Sequence, residues 1–274
     1  MSASELSSIT YNYSNKFEFE RVWDEPAFNE YLNRRLMDPL LYSLLYAVII
    51  FSIKYYMRNR EEYDLRQPLA VWSTGLAVFS IAGVVRTVPE FLFAVNEQSF
   101  QYSVCMPTWY NGVAGFWGGL FVTSKVCELG DTLFIVLRKK PLVFLHWYHH
   151  ITVLCYCWYS FSQHTAAGRW FMVMNFTVHS FMYSYYALKA MQIYVPKQIS
   201  LLITSMQLLQ MIMGCIINIM VFVYKSRGEF CQQSDINLVL STAMYFSYFV
   251  LFANFFYKTY MVPRSKSRKQ HKSD

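Results

Sequence analysis

The sequence predicts an all-α polytopic membrane protein in which seven transmembrane helices enclose a polar chamber. Of its 274 residues, 55% are hydrophobic and only 15% are charged, whereas an average soluble domain has about 25% charged residues. The apolar residues are concentrated in long stretches, and a helix of about 20 residues is enough to cross a hydrocarbon core. Because lipid offers the backbone no water to bond with, such spans must be helical.

Seven apolar stretches define the predicted spans. They cover residues 40–56, 69–95, 112–137, 142–162, 170–188, 198–224 and 236–257. Pro89 interrupts the second stretch, so that six or eight spans are the alternatives. The spans belong to one membrane domain over residues 36–260, between a polar N-terminal segment (1–35) and a basic tail (261–274). The chain begins without the apolar core of a signal peptide, so we expect the first span to act as the membrane-targeting segment.

The positive charges indicate the orientation. With the N-terminus outside, most lysines and arginines fall in the inner loops and the tail, which favours a lumenal N-terminus and a cytoplasmic C-terminus. The net charge of +7 then needs no nucleic-acid partner, since the tail would lie near anionic lipid headgroups. Asn12 begins a glycosylation sequon on the outer side, whereas the sequon at Asn175 has an apolar setting that disfavours modification. Cys105 and Cys231 lie in two outer loops, either as a disulfide or as two unrelated free thiols.

Polar side chains inside four consecutive spans recur every three or four residues. They are Lys125, Glu128 and Asp131, then His146, His149 and His150, then Asn175 and His179, and finally Thr204, Gln207 and Gln210. This spacing gives each helix one polar face, and such faces must meet one another rather than lipid. Binding the helices together is the alternative role for the sixth-span residues, and an intrahelical ion pair is the alternative for the charged residues of the third span. The clustered imidazoles favour a functional site, because ionisable groups are costly in a membrane.

Two kinds of chemistry suit grouped imidazoles. The first is metal binding, since membrane desaturases and hydroxylases use histidine boxes that look like His146-x-x-His149-His150. The chain has only 6 histidines, of which His164 falls in an outer loop and His271 in the tail, and this is too few for a di-iron centre. The second is nucleophilic and acid–base catalysis, with Glu128 or Asp131 fixing a tautomer. The small number of histidines favours nucleophilic and acid–base catalysis and leaves a site for a single zinc ion as the alternative.

The surroundings of the histidines suggest the substrate. Long aromatic-rich spans suit an apolar molecule such as an acyl chain. The basic run from Arg138 to Lys140 at the inner mouth of the same helices suits a phosphate-bearing partner. Setting membrane topology is an equally good explanation for this run.

Four ordered motifs identify a family resemblance. They are Lys125-x-x-Glu128-Leu129-x-Asp131-Thr132, His146-x-x-His149-His150, Asn175-x-x-x-His179-x-x-Met182-Tyr183 and Thr204-x-x-Gln207-x-x-Gln210. Together they resemble the signature of the very-long-chain fatty acid elongases over about residues 30–260. The stretch from Phe144 to Val153 is most similar to the branch that elongates saturated and monounsaturated long-chain, palmitate-like substrates.

The resemblance implies a 3-ketoacyl-CoA synthase of the endoplasmic reticulum membrane with seven spans. Such an enzyme condenses a long-chain acyl-CoA with malonyl-CoA, releases CO2 and CoA, and needs no metal or redox cofactor. Its 3-ketoacyl-CoA product is passed to a ketoacyl-CoA reductase, a dehydratase and an enoyl-CoA reductase. The remaining alternatives are a histidine-box oxidase and a seven-span lipid transporter or receptor.

The motifs and the resemblance together predict roles for individual residues. We expect His149 to attack the acyl thioester and carry the chain as an acyl-imidazole. The other expected catalytic residues are His150, His146, His179, Lys125, Glu128, Asp131 and Asn175. The expected CoA- and substrate-binding residues are Arg138, Lys139, Lys258, Tyr183, Gln207 and Gln210.

Two positions depart from the family pattern. The tail lacks a complete dilysine retrieval signal, because Lys272 stands third from the end without a second lysine one or two places earlier. Asn254 occupies a position near the end of the last span where relatives of this branch often have a histidine. We therefore transfer no catalytic role to Asn254 and no retrieval signal to the tail.

Overall fold

A computed structural model describes residues 11–262, and all of its regular structure within that range is helical. The predicted tail, apart from residues 261 and 262, lies outside the described residues. The helices are α1 (Glu18–Arg21), α2 (Glu25–Arg34), α3 (Asp38–Tyr56), α4 (Arg66–Leu92), α5 (Phe100–Cys105), α6 (Gly112–Glu128), α7 (Asp131–Leu137), α8 (Phe144–Ser162), α9 (Gly168–Ala190), α10 (Lys197–Ser226) and α11 (Asp235–Phe256). Helices or helical pairs therefore occupy all seven of the predicted apolar stretches.

Within residues 11–262, four helical segments are long and apolar enough to cross a membrane. They are Asp38–Asn59, Arg66–Gln98, Lys197–Ser226 and Asp235–Met261, which contain α3, α4, α10 and α11. The other three stretches, α6 with α7, α8 and α9, carry most of the polar motif residues. The chain is thus an all-helical membrane protein in which the less apolar helices carry three of the four motifs and α10 carries the fourth.

The third and second stretches differ in detail from the sequence prediction. Leu129 and Gly130 separate α6 from α7, so the third stretch is two helices. Gly130 packs so closely on the indole of Trp72 that a Cβ atom there would lie 2.9 Å from the ring. Pro89 lies inside α4, which continues to Leu92 and then widens into a π-helical turn over Phe93–Gln98. Pro89 therefore does not divide the second stretch, and it gives no support to six or eight spans.

The N-terminal segment covers one end of the bundle, which we call the cap end. Trp23 Nε1 donates to the Tyr110 carbonyl oxygen at 3.0 Å, and Trp158 Nε1 donates to the Leu32 carbonyl oxygen at 3.1 Å. His164 Nε2 lies 2.6 Å from Glu25 Oε1. Asn12 of the predicted sequon is exposed in this segment, whereas Asn175 is buried. The opposite end, with loops 57–65, 138–143 and 191–196, is called the mouth end.

Glu20 fixes the N-terminal segment to the bundle. Its carboxylate accepts hydrogen bonds from Arg86 at 2.6 and 2.7 Å and from Trp117 Nε1 at 2.8 Å. Burial by itself raises the pKa of Glu20, but the hydrogen bonds from Arg86 and Trp117 outweigh it, so that the pKa lies below its ordinary value of 4.5. Folding therefore favours the ionised carboxylate.

The lowered pKa of Glu20 predicts acid destabilisation of the cap end. The stability contributed by the ionised carboxylate is complete above the unfolded-state pKa of 4.5 and is lost as the pH falls through the lower folded-state pKa. The melting temperature in detergent should therefore decline below about pH 4.5. The Glu20→Gln variant should be less stable at pH 7 and should show a weaker decline. A decline equal in both proteins would contradict this role of Glu20.

A disulfide joins two loops at the cap end. Cys105 and Cys231, 126 residues apart in the sequence, are bonded to each other. Gln232 N also donates to the Cys105 carbonyl oxygen at 3.0 Å, so the two loops are connected by their backbones as well. Of the two interpretations left open by the sequence, the structure contains the disulfide.

Loss of this disulfide should destabilise the protein without changing the site chemistry. A cross-link that closes a long loop contributes about 2–4 kcal/mol, mainly by restricting the unfolded chain. The Cys105→Ser/Cys231→Ser variant should therefore melt at a lower temperature, whereas Cys215→Ser, at a free cysteine, should not. If the wild-type protein melts at the same temperature with and without reductant, the disulfide has no such role.

Candidate active site

A cavity of about 480 Å³ lies where the polar faces of α7 to α10 meet. Four imidazoles line it, those of His146, His149, His150 and His179. Basic side chains of the mouth end, namely Arg138, Lys140 and Lys189, line the same cavity. The cavity therefore connects the buried histidines with a cationic region at the mouth end.

Lys125 is buried in a network that joins α6 to α9. Its ammonium group donates to Glu128 Oε1 at 2.7 Å and to Asn175 Oδ1 at 2.9 Å, and it lies 4.2 Å from the centre of the Phe121 ring. Asn175 Nδ2 is 3.1 Å from His179 Nε2. The intrahelical ion pair expected as one alternative, Lys125 with Glu128, is therefore present. Its lysine also holds the Asn175 amide, which contacts His179 at the cavity.

Asp131 is held by two aromatic donors. Trp72 Nε1 donates to its Oδ1 atom, and the Tyr183 hydroxyl donates to its Oδ2 atom, both at 2.6 Å. The close approach of Gly130 to the Trp72 ring brings the indole to this carboxylate. Both oxygens of Asp131 thus have a donor, and Tyr183 lines the cavity beside them.

His146 is hydrogen-bonded to a buried threonine. Its Nε2 atom is 2.9 Å from Thr132 Oγ1, which in turn is 2.7 Å from the Tyr46 hydroxyl. Thr132 is completely buried at the start of α7, and Tyr46 lies on α3. Three helices therefore position this imidazole.

His149 and His150 have no hydrogen-bond partner at Nδ1 within residues 11–262, although both atoms are buried. Their ring centres are 5.8 Å apart, and the His150 ring lies 4.5 Å from that of His146. Buried polar atoms in native proteins usually have partners, so such exceptions call for an explanation. A neutral imidazole with a free lone pair can act as a nucleophile or a base.

The expected tautomer-fixing carboxylates do not touch these rings. Of the four cavity imidazoles, Glu128 approaches only that of His179, at 3.9 Å, and Asp131 contacts Trp72 and Tyr183 instead. The helical spacing aligns Glu128 and Asp131 along their own helix but does not fix their distance from α8. The sequence-based idea of a carboxylate–imidazole pair with His146, His149 or His150 is therefore wrong for this structure.

The basic residues divide into two groups. Arg138 lines the cavity as expected, but Lys139 turns away and donates to the carbonyl oxygens of Arg58 and Arg60 at 3.3 and 2.8 Å. Lys139 has a φ of 49°, which reverses the chain after α7 and directs its side chain to the neighbouring loop. Lys258 is exposed and is not among the residues that line the cavity. Direct contact of Lys139 and Lys258 with a cavity ligand is therefore not supported.

The polar residues of α10 also divide. Gln207 and Gln210 line the cavity, and Gln207 Nε2 donates to Met182 Sδ at 3.4 Å. Thr204 instead lies 3.2 Å from the Tyr260 hydroxyl and serves the contact between helices. Of the two roles considered for these residues, Gln207 and Gln210 thus belong to the site, and Thr204 binds helices together.

Several residues of the site are not evident from the sequence. Trp72, Tyr46 and Lys189 come from helices or positions outside the motifs, and Tyr186 also lines the cavity. A buried indole or phenol needs a hydrogen-bond partner, so Trp72 and Tyr46 carry a weak signal. Within residues 11–262, no group of three His, Cys, Asp or Glu side chains is arranged to hold a metal ion.

Comparison with known proteins places the chain in a family. The model of the GNS1/SUR4 family, abbreviated ELO, matches residues 31–269. The chain is 49% identical to very long chain fatty acid elongase 6 of Drosophila melanogaster, over 96% of this chain and 84% of that protein. It is 46% and 44% identical to the proteins of that name from Gallus gallus and Homo sapiens, in each case over 93% of this chain and 96% of the relative. The chain therefore belongs to the GNS1/SUR4 (ELO) family.

Proposed function

We propose that this protein catalyses the condensing step of fatty acid elongation. In this reaction, a long-chain acyl-CoA and malonyl-CoA give CO2, CoA and a 3-oxoacyl-CoA two carbons longer. The observation that carries the proposal is the pair of imidazoles, His149 and His150, whose Nδ1 atoms have no partner among the described residues, in a cavity that also has cationic side chains at its mouth. The relatives named very long chain fatty acid elongase 6 support a fatty acyl substrate, and saturated and monounsaturated long chains are part of the proposal.

The cavity suits a two-stage reaction. His149 attacks the acyl thioester carbonyl, forming a C–N bond as the C–S bond breaks. The N–H proton of the imidazole passes to the CoA sulfur, so that CoA leaves as a thiol and a neutral acyl-imidazole remains. Malonyl-CoA then enters, its carboxylate leaves as CO2, and the retained electron pair forms an enolate. The enolate carbon attacks the acyl-imidazole, the C–N bond breaks, and the departing imidazole takes one proton from water, which regenerates neutral His149. No metal or redox cofactor takes part in these steps.

Individual network residues support these stages. Lys125 is paired with Glu128 and donates to Asn175, which in turn contacts His179. These contacts orient Asn175 and His179, and the Lys125 charge adds a fixed electrostatic field at the site. Arg138, Lys140 and Lys189 attract the phosphates of CoA to the mouth end, since guanidinium and ammonium groups bind phosphate. Tyr183, Gln207 and Gln210 line the path between the mouth and the histidines.

We place this reaction in the endoplasmic reticulum membrane. Seven spans follow if α6 with α7, α8 and α9 cross the membrane together with the four longer apolar segments. The cap end then faces the lumen, where a disulfide is stable and Asn12 is available for glycosylation. The mouth end faces the cytosol, the source of acyl-CoA and malonyl-CoA. The product would pass to a ketoacyl-CoA reductase, a dehydratase and an enoyl-CoA reductase.

One experiment tests the reaction directly. Purified protein is incubated with palmitoyl-CoA and carboxyl-labelled malonyl-CoA, and both labelled CO2 and the 3-oxoacyl-CoA are measured. We expect both to form with equal stoichiometry. Binding or transport of acyl-CoA without either product would favour the transporter alternative, and oxygen-dependent dehydrogenation of the acyl chain would favour the oxidase.

The mouth residues should affect substrate binding more than the chemical step. Loss of a charged hydrogen bond of about 1.5 kcal/mol weakens binding about tenfold, so Arg138→Ala and Lys189→Ala should raise KM for acyl-CoA by about this factor. Lys258→Ala is the matched control, because Lys258 is a basic residue of the same end outside the cavity. Equal KM values in all three variants would contradict the assignment of the mouth.

A further inference from the structure

The hydroxyls of Tyr46 and Thr132 form a short chain that ends on His146. The Tyr46 hydroxyl is 2.7 Å from Thr132 Oγ1, and Thr132 Oγ1 is 2.9 Å from His146 Nε2. Tyr46 is 5% exposed and Thr132 is completely buried, so solvent does not offer either hydroxyl an alternative partner. Within residues 11–262 the structure gives the Tyr46 hydroxyl no other hydrogen bond.

The positions of the protons in this chain follow from counting donors. Thr132 has one proton, so it donates either to His146 or to Tyr46. If it donated to Tyr46, the phenolic proton would be buried without an acceptor, which is costly. The satisfied arrangement is Tyr46 donating to Thr132 and Thr132 donating to His146 Nε2. Neutral His146 must then carry its own proton on Nδ1.

The Nδ1 atom of His146 is available to a bound molecule. His146 lines the cavity, and no hydrogen bond within the described part of the chain involves its Nδ1 atom. The Nδ1 atoms of His149 and His150 are completely buried, whereas the Nδ1 atom of His146 is not. The Nδ1–H group is therefore a fixed donor at the wall of the cavity.

We propose that Tyr46 and Thr132 are positioning residues that hold His146 as a hydrogen-bond donor to the enolate oxygen formed from malonyl-CoA. When the bond to the carboxylate carbon breaks and CO2 leaves, the electron pair moves into the thioester and charge develops on its oxygen. A preorganised N–H group stabilises such an oxyanion. This proposal rests on the proposed function and gives two histidines different roles. His149 forms the covalent bond to the acyl group, whereas His146 donates a hydrogen bond but forms no covalent bond and transfers no proton.

The assignment is tested by four variants in the full-length protein. Tyr46→Phe and Thr132→Val remove one hydroxyl each, and Thr132→Ser retains the hydroxyl. Tyr42→Phe is the matched control, since Tyr42 lies one turn earlier on α3 and donates to Asp38. Loss of one oxyanion donor lowers kcat by about 100-fold, so we expect this loss in Thr132→Val and about a tenfold loss in Tyr46→Phe. Thr132→Ser and Tyr42→Phe should stay within about threefold of wild type, and kcat/KM for acyl-CoA should not change in any variant, because acylation does not use this donor.

Half-reactions distinguish positioning from packing. CoA release from acyl-CoA without malonyl-CoA should proceed at the wild-type rate in Tyr46→Phe and Thr132→Val, because the donor acts only on the enolate. Loss of CoA release equal to the loss of condensation would overturn the assignment, and so would a Thr132→Ser variant as slow as Thr132→Val. If wild-type protein formed no condensation product, the proposed function itself would fail. Gel filtration in detergent identifies any variant that does not fold.

Discussion

The His149→Ala variant is expected to lose condensation activity almost completely. If His149 is the acyl carrier, its removal eliminates the covalent route rather than weakening it. Removal of a catalytic nucleophile lowers kcat by about four orders of magnitude or more. The His149 ring lies within van der Waals range of Tyr248, with ring centres 4.8 Å apart, so a folded protein with a small additional void is expected.

The control for this variant is another histidine in the same chain. His164 lies at the cap end beside Glu25 and does not line the cavity. The His164→Ala variant should keep most of its activity. The direct measurement is mass spectrometry of the protein after incubation with palmitoyl-CoA alone, in which wild type should gain the mass of one acyl group and His149→Ala should not. Comparable condensation by both variants would remove His149 from the mechanism.

The Arg169→Met variant is expected to show the largest loss of stability. Arg169 is completely buried, and its guanidinium group donates to both oxygens of Glu90 at 2.9 and 3.0 Å. It also donates to the Ser103 carbonyl oxygen at 2.7 Å and to Thr108 at 2.9 Å. Removing one partner of a buried ion pair costs about 3–5 kcal/mol, because it leaves the other charge uncompensated.

Two further variants identify the cause of this loss. Arg34→Met removes an exposed ion pair with Glu30 and should change the free energy of unfolding by less than about 1 kcal/mol. The double variant Glu90→Leu/Arg169→Met removes both charges and should recover part of the stability of the single variant. Denaturation in detergent, followed by tryptophan fluorescence, measures all three. A double variant less stable than Arg169→Met would show that packing of the arginine, rather than charge compensation, dominates.

The sequence predicted the helices well because their signal is local. Each apolar stretch is read from its own composition, and each one is helical in the structure. The spacing of His146, His149 and His150 likewise fixes their common helix face without reference to any other helix. The break at Gly130 was missed, and the contact that accompanies it is long-range, since the Trp72 ring that packs on Gly130 is 58 residues away in the sequence.

The hydrogen-bond partners of the motif residues could not be predicted, because contacts with other helices are not a local property of the sequence. Periodicity gives the face on which Glu128 and Asp131 lie, but the rotation and distance of facing helices decide what they touch. Asp131 thus meets an indole and a phenol, and Glu128 meets a lysine of its own helix. Lys139 and Arg138 are adjacent in sequence, yet a single residue of positive φ sends their side chains in different directions.

The covered cap end and the basic mouth end have a consequence for the order of events. If acyl-CoA, malonyl-CoA and product all use the mouth, the passage serves one molecule at a time. The CoA released in the first stage must leave before malonyl-CoA can enter, which gives ping-pong kinetics, and each substrate in excess should inhibit competitively against the other. Because one passage serves both stages, the acyl-enzyme can react with malonyl-CoA only after the released CoA has left through the mouth end.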